Sequence, residues 1–303
     1  MGDVAMKRRC VRAPTAARCD VPRDIETLRS LAWARFLTTS QIAALHFPSR
    51  RVAQRRLRAL FDHGLIRTRL QGEAVLHRDS LHALSAAGAR LLEERGTAND
   101  IARPGRFPAW RALPHATAIR DVFVAFRSAE RDGRIALDDV LFEGDLVRVP
   151  TLVEAGLIPD LLVTIRTASG ERRIAVEVDL GTEPNRVLKA KLDRYATLIG
   201  AGFCHEVLFV LGGARRLLES LVAESGIGGS VRRVRREDVA ALLDECSHGP
   251  YAPPVRAERT PVFRQRPAAP RLSPPPDAAL KARAFTHATA ATPPPVTPGE
   301  PRA

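Results

Sequence analysis

Cysteine, aromatic residues and long apolar runs are all scarce in this chain of 303 residues, and each scarcity removes a class of protein. The four cysteines, Cys10, Cys19, Cys204 and Cys246, lie far apart and form no C-x-x-C pair. That spacing argues against a zinc site or a disulfide framework and for a cytoplasmic setting with reduced thiols. No apolar stretch approaches the roughly 20 residues that a membrane helix needs. Lys7, Arg8, Arg9 and Arg12 near the N-terminus have no apolar segment behind them, so the start does not read as a secretory signal. A glycine-rich phosphate loop, a Ser-His-Asp order, a Cys-His pair and internal repeats are missing too, which leaves those chemistries without support.

Positive charge is what the chain has in excess. Against 34 acids stand 47 lysines and arginines, giving a formal charge of +13 and a pI near 10.8. A polyanionic partner follows, nucleic acid ahead of membrane lipid because no apolar segment accompanies the charge. A compositional bias toward Arg and Ala would raise the same sum, so the placement of the charge matters more than its total.

The length allows two domains and a tail. Residues 1–20 are polar and aperiodic and read as a basic flexible arm. From 21 to 95 the pattern becomes that of a winged helix-turn-helix. Ile25, Leu28, Leu31, Ala32 and Phe36 follow helical spacing, and Thr38-Thr-Ser-Gln41 resembles a capping box for a second helix. Ser49 opens a third helix that Gly64 ends, with Val52, Leu57, Leu60 and Phe61 as its buried stripe. Its polar side carries Arg50, Arg51, Gln54, Arg55, Arg56 and Arg58. Leu65 to His77 then read as strand, Gly turn and strand, the wing, with Arg67 and Arg69 placed to reach the flanking DNA backbone. Arginine suits such work because its planar fork bonds two phosphate oxygens, or guanine O6 and N7, at once, and Gln54 has the matching geometry for adenine. Ser85 caps a short helix that closes this domain or makes a homodimer contact.

Residues 96–112, with Pro104, Gly105 and Pro108, read as a linker from which Phe107 and Trp110 dock on a domain surface. The second domain is expected over 113–248. It starts with a helix from Pro114 to Arg131, in which His115 reads as structural, and a strand at Ile135 to Phe142. Next come Leu161–Arg166 and Arg172–Asp179, β-branched runs joined by a Gly-containing turn, then a helix from about Pro184 toward Ile199 with Thr182 as its N-cap. His205 to Leu211 form a buried strand, and Ser230 to Arg236 a last, basic one. Residues 249–303, which hold fourteen of the 23 prolines, read as a disordered tail. The fold class expected is therefore α/β (α+β), a winged helix-turn-helix followed by a mixed-sheet domain.

Asp160 at the start of one hairpin strand and Glu177 and Asp179 near the end of the other would meet at one end of the sheet. Carboxylates gathered in that way suit Mg²⁺ or Mn²⁺. Pro159-Asp160, sixteen residues, then Glu177-Val178-Asp179 resembles the PD-(D/E)xK nuclease superfamily, in which the acids hold a divalent metal and a lysine activates water. Asp179 stands where that lysine normally stands. Some members carry the lysine on the following helix, where this chain has Lys189 and Lys191, the latter one turn before Tyr195.

Together with the winged helix, Glu177-Val-Asp-Leu-Gly-Thr-Glu183, Lys191 and Tyr195 resemble the replication-relaxation family of plasmid and mobile-element proteins, over roughly residues 24 to 245. The resemblance implies a DNA-binding protein acting on double-stranded DNA in plasmid replication, relaxation or mobilisation, beside a relaxase or a replication initiator. Three readings stay open. One is an accessory DNA-binding protein with a degenerate nuclease fold. Another is an active endonuclease with Asp160, Glu177 and Asp179 on the metal and Lys191 at the water. The third is a winged-helix transcriptional regulator.

Overall fold

The computed structural model describes residues 21–69, 79–96, 103–167, 170–181, 184–213 and 216–245. The N-terminal arm, the tip of the wing with Gln71 to His77, Thr182 and the Pro-rich tail lie outside the described residues.

Helix α1 (Pro22–Ala34) begins on a proline, whose fixed φ suits a first helical position. It buries Ile25, Leu28, Leu31 and Ala32. A two-residue strand, β1 (Leu37–Thr38), leads into α2 (Thr39–His46), which starts on the expected capping box. Thr38 Oγ1 accepts from the Gln41 backbone N–H, and the Gln41 side chain accepts from that of Thr38. Ser49 caps α3 (Arg50–Asp62) by accepting from Val52 N–H, and Gly64, at φ +70°, ends it. Strands β2 (Ile66–Arg69) and β3 (Leu81–Leu84) are antiparallel in a sheet ordered β1-β3-β2.

The 73–77 stretch read as the returning strand lies outside the described residues, and the described partner of β2 is the strand at 81–84. Its signature is lost because all four residues are buried. Leu81 and Ala83 pack with Phe36, Leu113 and Phe107, while Leu84 joins the main core. A strand covered on both faces shows no alternation. Ser85 caps α4 (Ala86–Glu94) through Gly88 N–H, as expected.

The second part begins with α5 (Leu113–Arg131) and β4 (Ala136–Phe142). The short helices α6 (Glu143–Leu146) and α7 (Pro150–Ala155) precede the hairpin β5 (Leu161–Thr167) and β6 (Gly170–Asp179). Then come α8 (Asn185–Gly200), β7 (Glu206–Leu211), α9 (Arg216–Glu224), β8 (Val231–Arg235) and α10 (Val239–Glu245). The sheet order is β4-β5-β6-β7-β8, antiparallel across the first three strands and parallel across the last three. Each parallel step crosses over through a helix, α8 and then α9, as parallel neighbours require. The fold is a mixed α/β architecture, a five-stranded mixed sheet with helices that follows a winged-helix arrangement.

The two parts share one apolar core. Trp33 of α1 sets its ring edge-on to Phe123 of α5 at 5.7 Å, and its buried indole N–H donates to Val140 O of β4 at 2.7 Å. The Arg120 guanidinium lies 4.5 Å from the Phe36 ring centroid and 4.8 Å from that of Phe142, and donates to Ala34 O. Burial brings its pKa down to about 10, which leaves it charged at neutral pH. Gln41 reaches from α2 to Thr117 O and Asp121 of α5. Between the parts, Gly105 N–H donates to Leu84 O, and a Cβ at Gly105 would stand 2.0 Å from Arg35 O, so only glycine fits there.

Candidate functional site

Asp160 sits immediately before β5, and β-pairing aligns Leu161 with Val176, so Asp160 falls beside the Glu177–Val178 end of β6. Its Oδ2 accepts from Val178 N–H at 2.8 Å and lies 3.3 Å from His115 Nε2. That histidine, at the start of α5, is also 2.9 Å from Val178 O. The hydrogen bond to Asp160 raises the His115 pKa, against a smaller opposing effect of burial. His115 is therefore tied to the acidic cluster. A separation of 45 positions along the chain hid that link, and no local pattern could have signalled it.

Glu177 and Asp179 share one face of β6, and α8 covers it. The helix turns Leu188, Leu192, Tyr195 and Leu198 inward, so Lys191, one turn before Tyr195, overhangs the strand end. Lys191 Nζ donates to Glu177 Oε2 at 2.8 Å, and Tyr195 OH donates to Glu177 Oε1 at 2.5 Å. Lys189 points elsewhere, 3.4 Å from Glu224. Of the two lysines weighed from the sequence, Lys191 is the one beside the acids.

Burial dominates the electrostatics. Glu177 is 4% exposed, and loss of solvation, helped by the charge of Asp160, lifts its pKa to about 7 in spite of Lys191 and Tyr195. Tyr195, fully buried beside that carboxyl, is held well above its ordinary value.

Asp179 is turned aside. Its Oδ1 accepts from Gly181 N–H at 2.8 Å, the short-range turn in which an Asp side chain bonds the backbone two residues on. A divalent cation needs carboxylate lone pairs directed at one point. Here both Glu177 oxygens are taken by Lys191 and Tyr195, one Asp160 oxygen by Val178 N–H, and one Asp179 oxygen by Gly181. Among the described residues no three Asp, Glu, His or Cys side chains are disposed to hold one ion. Asp160, Glu177, Lys191 and Tyr195 thus form one cluster, with Asp179 two residues beyond Glu177 on the same strand.

The basic helix α3 meets its expectation in part. Arg50, Arg51, Gln54, Arg55 and Arg58 are all exposed. Arg50 pairs with Asp79 and Arg58 with Asp62, whereas no acidic side chain among the described residues pairs with Arg51 or Arg55. Arg56 turns inward to the fully buried Asp24 and serves the fold. The wing arginines have partners within the chain. Arg67 donates to Gly105 O and Arg69 to Pro108 O at 2.8 Å, and both lie against the Phe107 ring. The residues between the two parts, read as a linker, supply those carbonyls and that ring.

The profile of the family described as replication-relaxation matches residues 28–209, more than half of the chain. The chain belongs to the replication-relaxation family. The matched span runs from α1 through most of β7, so this family member carries both α3 and the Glu177–Tyr195 cluster inside the shared region. No curated protein matches the sequence. Among solved structures the restriction endonuclease FokI matches at 12% identity with a TM-score of 0.28, over 76% of this chain and 45% of FokI. The chain spans less than half the length of that enzyme. No helix among the described residues is long and apolar enough to cross a membrane.

Proposed function

We propose that this replication-relaxation protein binds double-stranded DNA through α3, as an accessory factor in the replication, relaxation or mobilisation of a plasmid or integrated mobile element, beside a relaxase or replication initiator. The observation that carries the reading is the exposed row Arg51, Gln54 and Arg55 on the N-terminal half of a capped helix, with no carboxylate among the described residues paired to either arginine. Such a row offers phosphates two uncommitted guanidinium groups and offers a base edge one amide. The shared core around Trp33 and Arg120 fixes that helix relative to the sheet, so DNA would meet a rigid surface.

In this reading the Asp160–Glu177–Lys191–Tyr195 cluster is a structural remnant of a nuclease site, satisfied internally and used for shape. Incubation with supercoiled plasmid in Mg²⁺, in Mn²⁺ and in EDTA tests it, with Glu177→Ala beside the wild type. Binding without strand breakage is the expected result. Metal-dependent nicking that disappears in Glu177→Ala would overturn the remnant reading and restore the endonuclease.

A further inference from the structure

The residues between the winged helix and α5 do more than join two parts. The Arg69 guanidinium lies 4.3 Å from the centroid of the Trp110 ring and 5.0 Å from that of Phe107, and the Arg67 guanidinium lies 5.7 Å from that of Phe107. Backbone carbonyls of Gly105 and Pro108 accept from Arg67 and Arg69 and hold the two arginines against these rings. Trp110 is 48% exposed, while Trp33, the other tryptophan, is 8% exposed. Arg103, Arg106 and Arg111 are exposed as well, and no acidic side chain among the described residues pairs with any of them. The stretch from 103 to 112 contains no Asp or Glu.

An indole left half in water loses the benefit of burial, and one fixed over a cation has its remaining surface ready to receive a flat partner. Every nucleobase has such a face. In a duplex those faces are already stacked on one another, whereas a single strand can turn them outward. The surrounding arginines supply the charge that a sugar-phosphate chain would follow. We propose that Trp110, seated on Arg69 and flanked by Arg103, Arg106 and Arg111, is a stacking site for single-stranded DNA, made of residues separate from those of α3. The proposal does not depend on duplex binding by α3.

The test uses the full-length chain and oligo(dT) at one fixed salt concentration, with a blunt duplex as the parallel probe. In a Trp33→Phe background all tryptophan emission comes from Trp110, and oligo(dT) should quench it where the duplex does not. Separately, anisotropy of labelled oligo(dT) needs no change at Trp33. Trp110→Ala should weaken that binding about tenfold, Trp110→Phe should keep it within about threefold, and duplex affinity should be unchanged in both. The Arg51→Ala, Arg55→Ala double variant should lose duplex affinity and retain oligo(dT), which separates failure of one reading from failure of the other. Emission unmoved by saturating oligo(dT), equal quenching by the duplex, or an unaltered oligo(dT) affinity in Trp110→Ala would each overturn the proposal.

Discussion

Two pairs of arginines that look alike in the sequence are expected to behave differently when removed. Arg51 and Arg55 project from α3 without a carboxylate partner among the described residues, while Arg67 and Arg69 contact Gly105 O, Pro108 O and the rings of Phe107 and Trp110. Each phosphate contact on B-DNA contributes about 0.9 to the slope of log affinity against log salt. Replacing Arg51 and Arg55 with alanine should therefore reduce the slope by about 1.8. Across a fourfold change in salt that is about a tenfold smaller loss of affinity than the wild type suffers. Replacing Arg67 and Arg69 should leave the duplex slope within experimental error. It should instead lower Tm by a few degrees, because charge-assisted hydrogen bonds and cation–π contacts of about 1 kcal/mol each are lost. Anisotropy titrations at four salt concentrations, with thermal unfolding of the same preparations, measure both. The argument is refuted if the two double variants lose equal slope, or if Arg51→Ala with Arg55→Ala loses none.

Further outcomes follow from the buried groups. Lys191→Met removes the cation beside Glu177, whose folded pKa already stands near 7, above the ordinary carboxyl value of 4.5. A raised carboxyl pKa penalises the folded state as pH rises, so the variant should lose about 3 kcal/mol at pH 8 and clearly less at pH 5.5, measured by urea unfolding; equal losses would contradict this. His82 has Thr39 Oγ1 and Thr68 Oγ1 each 3.0 Å from a ring nitrogen, and burial takes its pKa from 6.5 to about 4. The unfolded chain binds that proton first, so stability is complete above pH 6.5 and falls by about 3 kcal/mol as pH approaches 4, a loss that His82→Gln should reduce. Trp33→Ala should cost about 3–5 kcal/mol through its cavity and the lost bond to Val140 O. Because the core is continuous, calorimetry should show one transition moved as a whole; two transitions with only one displaced would show that the parts unfold separately.

Local patterns were sufficient for most of the architecture. Ser49, the capping pair Thr38 and Gln41, Ser85 and Gly64 each satisfy or end a helix through neighbours a few residues away, so their roles are readable along the chain. The hairpin carrying Glu177 and Asp179 and the helix carrying Lys191 were legible for the same reason, since period-two and period-3.6 spacing belong to single elements. Helical spacing even put Lys191 and Tyr195 on one face, which is why both reach Glu177.

Tertiary structure decided what those residues do there. Burial beneath α8 made Glu177 a carboxyl satisfied from within its own chain, and the turn at Gly181 gave Asp179 Oδ1 a backbone partner; neither follows from spacing. Long-range packing joined His115 to Asp160 and Trp33 to Val140, across 45 and 107 residues. It also closed the stretch after the winged helix over Arg67 and Arg69. Sequence by itself determined which elements form and which faces are basic, because those depend on nearest neighbours. Which cations stay uncommitted and which carboxylates are already spent depended on groups brought together from distant parts of the chain, where dielectric and hydrogen-bond competition are set only by the finished fold.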